Sequence, residues 1–422
     1  MNGMGFKLYL LFVISWFLHL TSRIPALGAI RFDLLLILLI SIIILGGKGG
    51  EIWKVLTEGS AGILTIICFY ILLTLPLVQW PGSVLNTGVS NFIKGIVFYY
   101  FTVLLITTEK KLKIFITVFL ACQSFRVFEP VYLHITGGYW GDIASMANWE
   151  FMERLSGAPH DIINPNGLAF VITSILPFAY YLGFSSLRWG IASLCATPIF
   201  LYALALTGSR SGLVGLIAIM IGILMKSRKK ALLIFVFVSV IGTIFMNLTP
   251  DQQDRYLSTF SSNTKNAATA EGRTEGIINN FKVALRRPLF GHGLGTSREA
   301  NANFGGTDKV AHNLYAEIAQ ELGFMGLLIF VYFMKSVATN FVRSVKKLRE
   351  NSGERGYLLN IGNAMQIWLF MNFMFSFASY GLSSYEWYLF GGLSVILTQL
   401  THAKEKSLPS TDCGKANDHS GT

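Results

Sequence analysis

Arg210, Arg273 and His312 are the residues whose types could do chemistry together. Arg210 stands in Thr207-Gly-Ser-Arg-Ser-Gly212, Arg273 near the start of a segment with helical spacing, and His312 where Lys309-Val-Ala-His-Asn-Leu-Tyr leads into an apolar run. A guanidinium stays charged and presents paired donors to phosphate oxygens, while an imidazole accepts a proton near neutral pH. Two guanidiniums beside one imidazole are what a site handling a phosphorylated leaving group requires. Each residue also has a plainer reading. Arg210 could snorkel to lipid headgroups, Arg273 could be a surface charge, and His312 could start a helix while bonded to a loop carbonyl. Asn313, Arg287 and Glu317 are candidates for support, and Glu317 with Glu321, one turn apart, could orient His312 or the adjoining loop. His292 between glycines reads as a loop residue, His160 and Asp161 as outer-loop structure, and Arg126 with Glu129 as a local pair.

The elements that must position these residues are membrane helices. Of 422 residues 52% are hydrophobic and 14% charged, with a mean hydropathy of +0.53. The apolar residues come in blocks of roughly 17 to 25, the length that crosses ~30 Å of hydrocarbon as a helix. This composition predicts an all-α polytopic integral membrane protein and excludes a closed barrel of short alternating strands. Twelve spans are expected near 6–22, 30–46, 61–79, 91–107, 114–134, 165–184, 189–206, 212–226, 231–248, 313–338, 357–378 and 386–401. The first could pass for a signal sequence, but its Thr-Ser-Arg-Ile-Pro flank lacks a small-residue cleavage site, so it reads as a retained helix.

With twelve crossings, the basic runs Lys110 to Lys113, Lys226 to Lys230, Arg343 to Arg349, and Lys404 with Lys406 fall on one side. The positive-inside rule makes that side cytoplasmic, with both termini there. The net charge of +11 is therefore largely a topology signal and does not indicate nucleic acid. The division expected is 1–248 for spans one to nine, 249–311 for a periplasmic loop region, 312–402 for spans ten to twelve, and 403–422 for a disordered cytoplasmic tail. Arg210, Arg273 and His312 then share the outer face. The 4 cysteines form no disulfide framework or metal cluster.

The loop region is too polar to span and too long for a mere connector. Within it Glu271 to Arg287 suits an amphipathic helix, with Ile277, Ile278, Phe281 and Leu285 at spacings of three and four and Pro288 ending it. Gly291-His-Gly-Leu-Gly295 then supplies backbone that can approach another chain closely. No P-loop, His-Glu-x-x-His, Cys-x-x-Cys or Asp-x-Asp pair is present, so no metal or cofactor is expected and a donor would arrive without nucleotide.

The ordered set Asp161-Ile-Ile-Asn-Pro-Asn-Gly-Leu-Ala169, Thr207 to Gly212, Arg273 ahead of Arg287-Pro-Leu-Phe-Gly-His-Gly-Leu-Gly295, and His312-Asn-Leu-Tyr followed by Glu321-Leu-Gly-Phe-Met-Gly326 resembles the O-antigen ligase family of bacterial membrane glycosyltransferases. The motifs cover about residues 160–330, and the twelve-span plan covers the chain. The resemblance implies a metal-independent, GT-C-like transferase of the inner membrane. Such an enzyme takes a glycan from undecaprenyl diphosphate at the periplasmic face and joins it to a lipid A core hydroxyl. It implies His312 as base and Arg210 and Arg273 on the diphosphate. The family often has Trp four residues after the second arginine, where this chain has Ile277, so Arg286, Arg287 and Arg298 stand as substitutes for Arg273. Relatives include O-antigen polymerases and protein O-oligosaccharyltransferases. A non-catalytic lipid carrier would need polar residues threading several spans. Here the ionisable residues concentrate at the outer face.

Overall fold

A computed structural model describes residues 2–47, 49–145, 151–246, 248–257, 267–352, 356–379 and 381–406. The chain forms α1 (Asn2–Phe17), α2 (Leu20–Arg23), α3 (Pro25–Ala29), α4 (Phe32–Leu45), α5 (Gly49–Thr57), α6 (Gly59–Thr74), α7 (Pro81–Ser83), α8 (Val89–Leu105) and α9 (Glu109–Gly137). A hairpin of β1 (Gly141–Ser145) and β2 (Phe151–Leu155) follows. Then come α10 (Pro165–Gly183), α11 (Leu187–Leu206), α12 (Arg210–Lys226), α13 (Lys230–Met246), α14 (Pro250–Leu257), α15 (Ala267–Ala284) and α16 (Ser297–Ala300). The last three helices are α17 (Leu314–Ser352), α18 (Tyr357–Phe375) and α19 (Glu386–Lys406).

Each apolar run found in the sequence is a helix. Among the described residues six helices are long and apolar enough to cross a membrane: Gly59–Leu77, Pro81–Leu105, Glu109–Gly137, Pro165–Gly183, Leu187–Leu206 and Leu314–Glu350. Gly3–Phe17, Phe32–Leu45 and Lys230–Met246 are shorter apolar helices. Chain reversals carry the local signals that helix ends need. Asn164 caps α10 by accepting from Gly167 N, and Pro165 takes the first helical position, where a missing N–H is harmless.

The fold is all-α as expected, apart from one short hairpin in which β1 and β2 pair antiparallel, Gly141 opposite Leu155, inside what reads as an outer loop. Three boundaries are corrected. The first span is shorter than 6–22, because His19 adopts a left-handed conformation (φ 49°, ψ 48°) that ends α1 and starts α2. The tenth span extends well beyond 338, so Arg343 to Arg349 lie on α17. The start of the expected tail, to Lys406, is helical; 407–422 lie outside the described residues.

The core where α1, α8, α9 and α19 meet is aromatic. Tyr9, Phe12, Phe17, Phe98 and Phe119 are almost wholly buried, and the Tyr9 hydroxyl is satisfied by Thr102 Oγ1 at 2.7 Å. The ends of α1 and α18, the starts of α10, α17 and α19, and Arg126 within α9 line one cavity.

α17 is interrupted at Gly323 (φ 71°, ψ 179°), a conformation almost restricted to glycine. The break admits the glycine loop. Phe324 N donates to Pro288 O (2.7 Å), His292 N to Gln320 O (2.8 Å) and Gly293 N to Glu321 O (3.0 Å). The Glu321 carboxylate accepts from Gly295 N (2.7 Å) and Ser297 N (3.3 Å), and Gly88 packs backbone to backbone against Leu294 and Gly295. Thus the glycines are needed for close approach, as the sequence implies, and Glu321 serves the loop.

α15 is a helix near the expected place, and the expected apolar stripe is divided. Ile277 and Phe281 are half-buried beside the buried Asn280, Val283 and Ala284, whereas Ile278 is 52% and Leu285 63% exposed. A polar contact docks the helix: Gln320 Nε2 donates to Asn280 O (3.1 Å), and also to Asn301 Oδ1 (2.7 Å) beyond it. Exposed apolar residues of this kind suit a helix at a membrane interface.

Candidate functional site

His312 is exposed at the mouth of α17 and lines a cavity of about 350 Å³. Asn313 is the N-cap of α17: its Oδ1 accepts from Ala316 N (3.0 Å) and its Nδ2 donates to Phe377 O (3.0 Å). This ties the histidine's neighbour to the chain leaving α18. Glu317 accepts from Gly381 N (2.7 Å) and Leu382 N (3.1 Å), fixing the turn whose Gly381 and Ser384 form part of the cavity wall. Glu317 therefore shapes the cavity through backbone, without a bond to the imidazole being needed.

Arg126 and His19 line the same cavity. Arg126 is buried in α9 and grips Asp161 with two bonds, Nε to Oδ2 at 2.6 Å and a terminal nitrogen to Oδ1 at 3.0 Å. His19 Nε2 approaches Asp161 Oδ1 to 3.0 Å in a bent contact, an ion-pair distance rather than a straight hydrogen bond. Burial alone pushes the Asp161 carboxyl up, but His19 and Arg126 outweigh it and hold the group below the usual carboxylate range. It is anionic at neutral pH. The expected Arg126–Glu129 pair is not formed: Glu129 binds Arg23 (2.6 and 2.5 Å), while Asp161, in the loop as expected, turns its side chain inward to pair with Arg126.

Arg210 is the first residue of α12. Its motif folds by local rules: Thr207 caps the end of α11, Gly208 takes φ +54°, and Ser209 Oγ accepts from Gly212 N (3.1 Å) to cap α12. Gly212 is needed because a Cβ would lie 2.8 Å from that of Ala169 in α10. Three buried guanidiniums surround this turn. Arg154 Nε donates to Thr207 O (2.8 Å), Arg255 Nε to Gly208 O (2.7 Å), and Arg210 Nε to Arg255 O (3.3 Å). Asn166 joins turn to cavity: it lines the cavity, and its Oδ1 accepts from Ser209 Oγ (2.9 Å) and Arg154 (3.2 Å). A second cavity of about 350 Å³, almost wholly apolar, lies beside the turn between α11, α12, α13 and α14, lined by Leu204, Leu213, Leu216, Phe237, Ile241 and Tyr256 among others.

Of the predicted residues, His312, Asn313 and Glu317 thus build one cavity edge, while Arg210 sits at the neighbouring turn. Arg273 lies on α15, with its side chain outside the described residues. Of its substitutes, Arg287 donates to Leu77 O (3.2 Å), Arg286 covers the Phe304 ring and Arg298 pairs with Asp308 on the surface. His292 is a buried loop residue, Nδ1 against Gln320 O (3.1 Å) and its ring stacked on Trp80. Among the described residues no group of three or more His, Cys, Asp or Glu side chains is placed to hold a metal ion.

Residues 195–331, from α11 past the break in α17, match the family model described as O-antigen ligase. This stretch is similar to the O-antigen ligase family. No curated protein matches the chain. The matched stretch contains Arg210, Arg273 and His312, and the likeness supports a ligase- or polymerase-like membrane glycosyltransferase. The match leaves out His19, Arg126, Arg154, Asp161 and Asn166. Sequence reasoning missed His19, Arg154, Arg255 and Asn166 as neighbours of the site. The one available signal for Asn166 was Asn-Pro-Asn-Gly at a helix start.

Proposed function

We propose that the protein transfers a glycan from undecaprenyl diphosphate to a hydroxyl of the lipid A core, at the periplasmic face of the inner membrane, in a twelve-span topology with both termini cytoplasmic. The observation that carries this reading is the link through Asn166 between the cavity lined by His312 and the Arg210 turn, with an apolar cavity beside that turn. Such a sequence of environments suits a donor with a lipid tail, a diphosphate and a sugar. The O-antigen ligase match, which includes Arg210 and His312 but not Asn166, supports it.

The reaction is a single displacement at the anomeric carbon of the lipid-linked sugar. His312 takes the proton of the acceptor hydroxyl as its oxygen bonds to carbon, and the bond to the diphosphate breaks with its electrons leaving on the phosphate oxygen. Arg210, with Arg273, neutralises that developing charge. A positioned donor of this kind is worth about 2.7 to 4 kcal/mol, so Arg210→Ala should slow transfer ~100-fold or more. Direct displacement inverts the anomeric configuration, and retention in the product would refute the single step.

The test is transfer by purified protein in detergent, using an undecaprenyl-diphosphate glycan and a truncated lipid A core, with wild type and His312→Ala compared in EDTA. A modified acceptor that survives EDTA and is lost in the variant supports the reading. Lengthening of the lipid-linked glycan with the acceptor untouched would instead make the protein a polymerase, and full activity in His312→Ala would remove the base.

A further inference from the structure

We propose that His19, held by Asp161, is the acceptor-binding residue of the cavity, receiving a hydroxyl of the acceptor glycan in the cavity that His312 also lines. The proposal rests on the transferase reading above and adds a residue to it that lies outside the O-antigen ligase match.

Three features converge on His19. It is a non-glycine residue in the left-handed region (φ 49°), set between two helices whose turn is closed by Ser22 N and Arg23 N donating to its carbonyl (2.9 and 3.0 Å). Backbone strain of this kind persists where surrounding structure enforces it and marks candidate functional positions. The ring is then delivered to the cavity, its side chain 36% exposed, with Nε2 3.0 Å from Asp161 Oδ1. Finally, Asp161 is itself immobile, 2% exposed and clamped by Arg126, whose remaining nitrogen donates to Gln123 Oε1 (3.0 Å). Gln123 in turn donates to the Tyr385 hydroxyl (3.0 Å), which returns the network to the cavity wall.

The chemistry of the pairing assigns a role. With Nε2 against the Asp161 carboxylate, Nδ1 is the ring nitrogen left to hydrogen-bond a ligand hydroxyl. A hydroxyl is the ligand such a nitrogen selects in a cavity that also carries Asn164, Asn166 and Ser384 with Trp16 and Tyr385, amides and hydroxyls beside aromatic rings. Those are the groups that hold a sugar. The donor diphosphate, by contrast, is served by the arginines around Thr207 to Arg210. His19 is thus a specificity-determining residue for the acceptor, and His312 keeps the proton transfer.

The experiment measures steady-state transfer with donor and truncated lipid A core varied separately, in wild type, His19→Ala, His19→Gln and Asp161→Asn, with unfolding midpoints recorded for each. His19→Ala should raise the acceptor KM about 10-fold, the size of one hydrogen bond, and leave the donor KM within about twofold. His19→Gln, whose amide reaches Asp161 and offers an oxygen to the cavity, should recover most of the loss. An unchanged acceptor KM in His19→Ala, an equal rise in both KM values, or a glutamine variant as impaired as alanine overturns the proposal. If wild type itself modifies no acceptor, the transferase reading fails and this inference falls with it. If wild type transfers and His19→Ala transfers equally well, only the role of His19 is refuted.

Discussion

Gly323→Ala should detach the glycine loop from α17. At φ 71° and ψ 179° an alanine is strained by about 1–3 kcal/mol before any contact is counted. Its Cβ would also overlap the Leu289 carbonyl oxygen and stand 2.5 Å from Leu289 C and 2.8 Å from Phe290 N, all backbone atoms that no side-chain rotation can move aside. Relief requires the loop to withdraw, which breaks the Phe324 N to Pro288 O bond and weakens those from His292 N and Gly293 N. At about 0.5–1.5 kcal/mol for each bond, strain and lost bonds together come to roughly 2–3 kcal/mol even at the low end, about 30- to 100-fold in the docking equilibrium. The assay is the thermal unfolding midpoint of purified protein in detergent, followed by tryptophan emission, because Trp80 stacks on His292 of the docked loop. Transfer activity is measured in parallel. Gly276→Ala on α15 is the control, since a Cβ there meets nothing within 4 Å and alanine favours a helix. A Gly323→Ala protein with the wild-type midpoint and activity would refute the account of the break as the seat of the loop.

Glu317→Ala leaves the Gly381 and Leu382 amides without their acceptor; at about 1–3 kcal/mol for each buried donor, the cavity wall should shift and transfer fall at least ~10-fold, while circular dichroism keeps its helical signal. Unchanged transfer would show that the turn holds its place without the carboxylate. A pH effect is expected at His292. Burial pulls its pKa below the ordinary value, with Arg287 and Arg286 adding to this and the bond to Gln320 O opposing it. Between about 6.5 and that lower value the unfolded chain binds a proton that the folded one excludes, so stability falls as pH is lowered through this window. The unfolding midpoint should drop as pH is lowered below about 6.5 and drop less in His292→Asn, and parallel slopes would exclude this histidine as the source.

Much of the scaffold was legible in the chain because its signals are local. Apolar runs of membrane length became helices at the expected places, since backbone groups in such runs can satisfy each other only within a helix. Asn164 and Ser209 as caps and Gly291 to Gly295 as close-packing backbone were readable for the same reason: each acts within a few residues. The order of Arg210, Arg273 and His312 along the chain was legible too, and it brought the O-antigen ligase resemblance with it.

Tertiary structure decided what lies across from what. Nothing within a turn or two of Arg126 predicts that it would take Asp161, 35 residues away, and leave Glu129 to Arg23, because a buried guanidinium selects the carboxylate that packing delivers. The exposure of Ile278 and Leu285 on α15 was likewise invisible to periodicity, which finds a stripe but not the side it faces, and here Gln320 holds the side that carries Asn280. His19 shows the division most directly. By hydropathy it lies within the first span, yet a left-handed turn ends the helix before it and brings its ring to the cavity that His312 lines. Hydropathy determined the helices of this protein; the contacts between them determined its site.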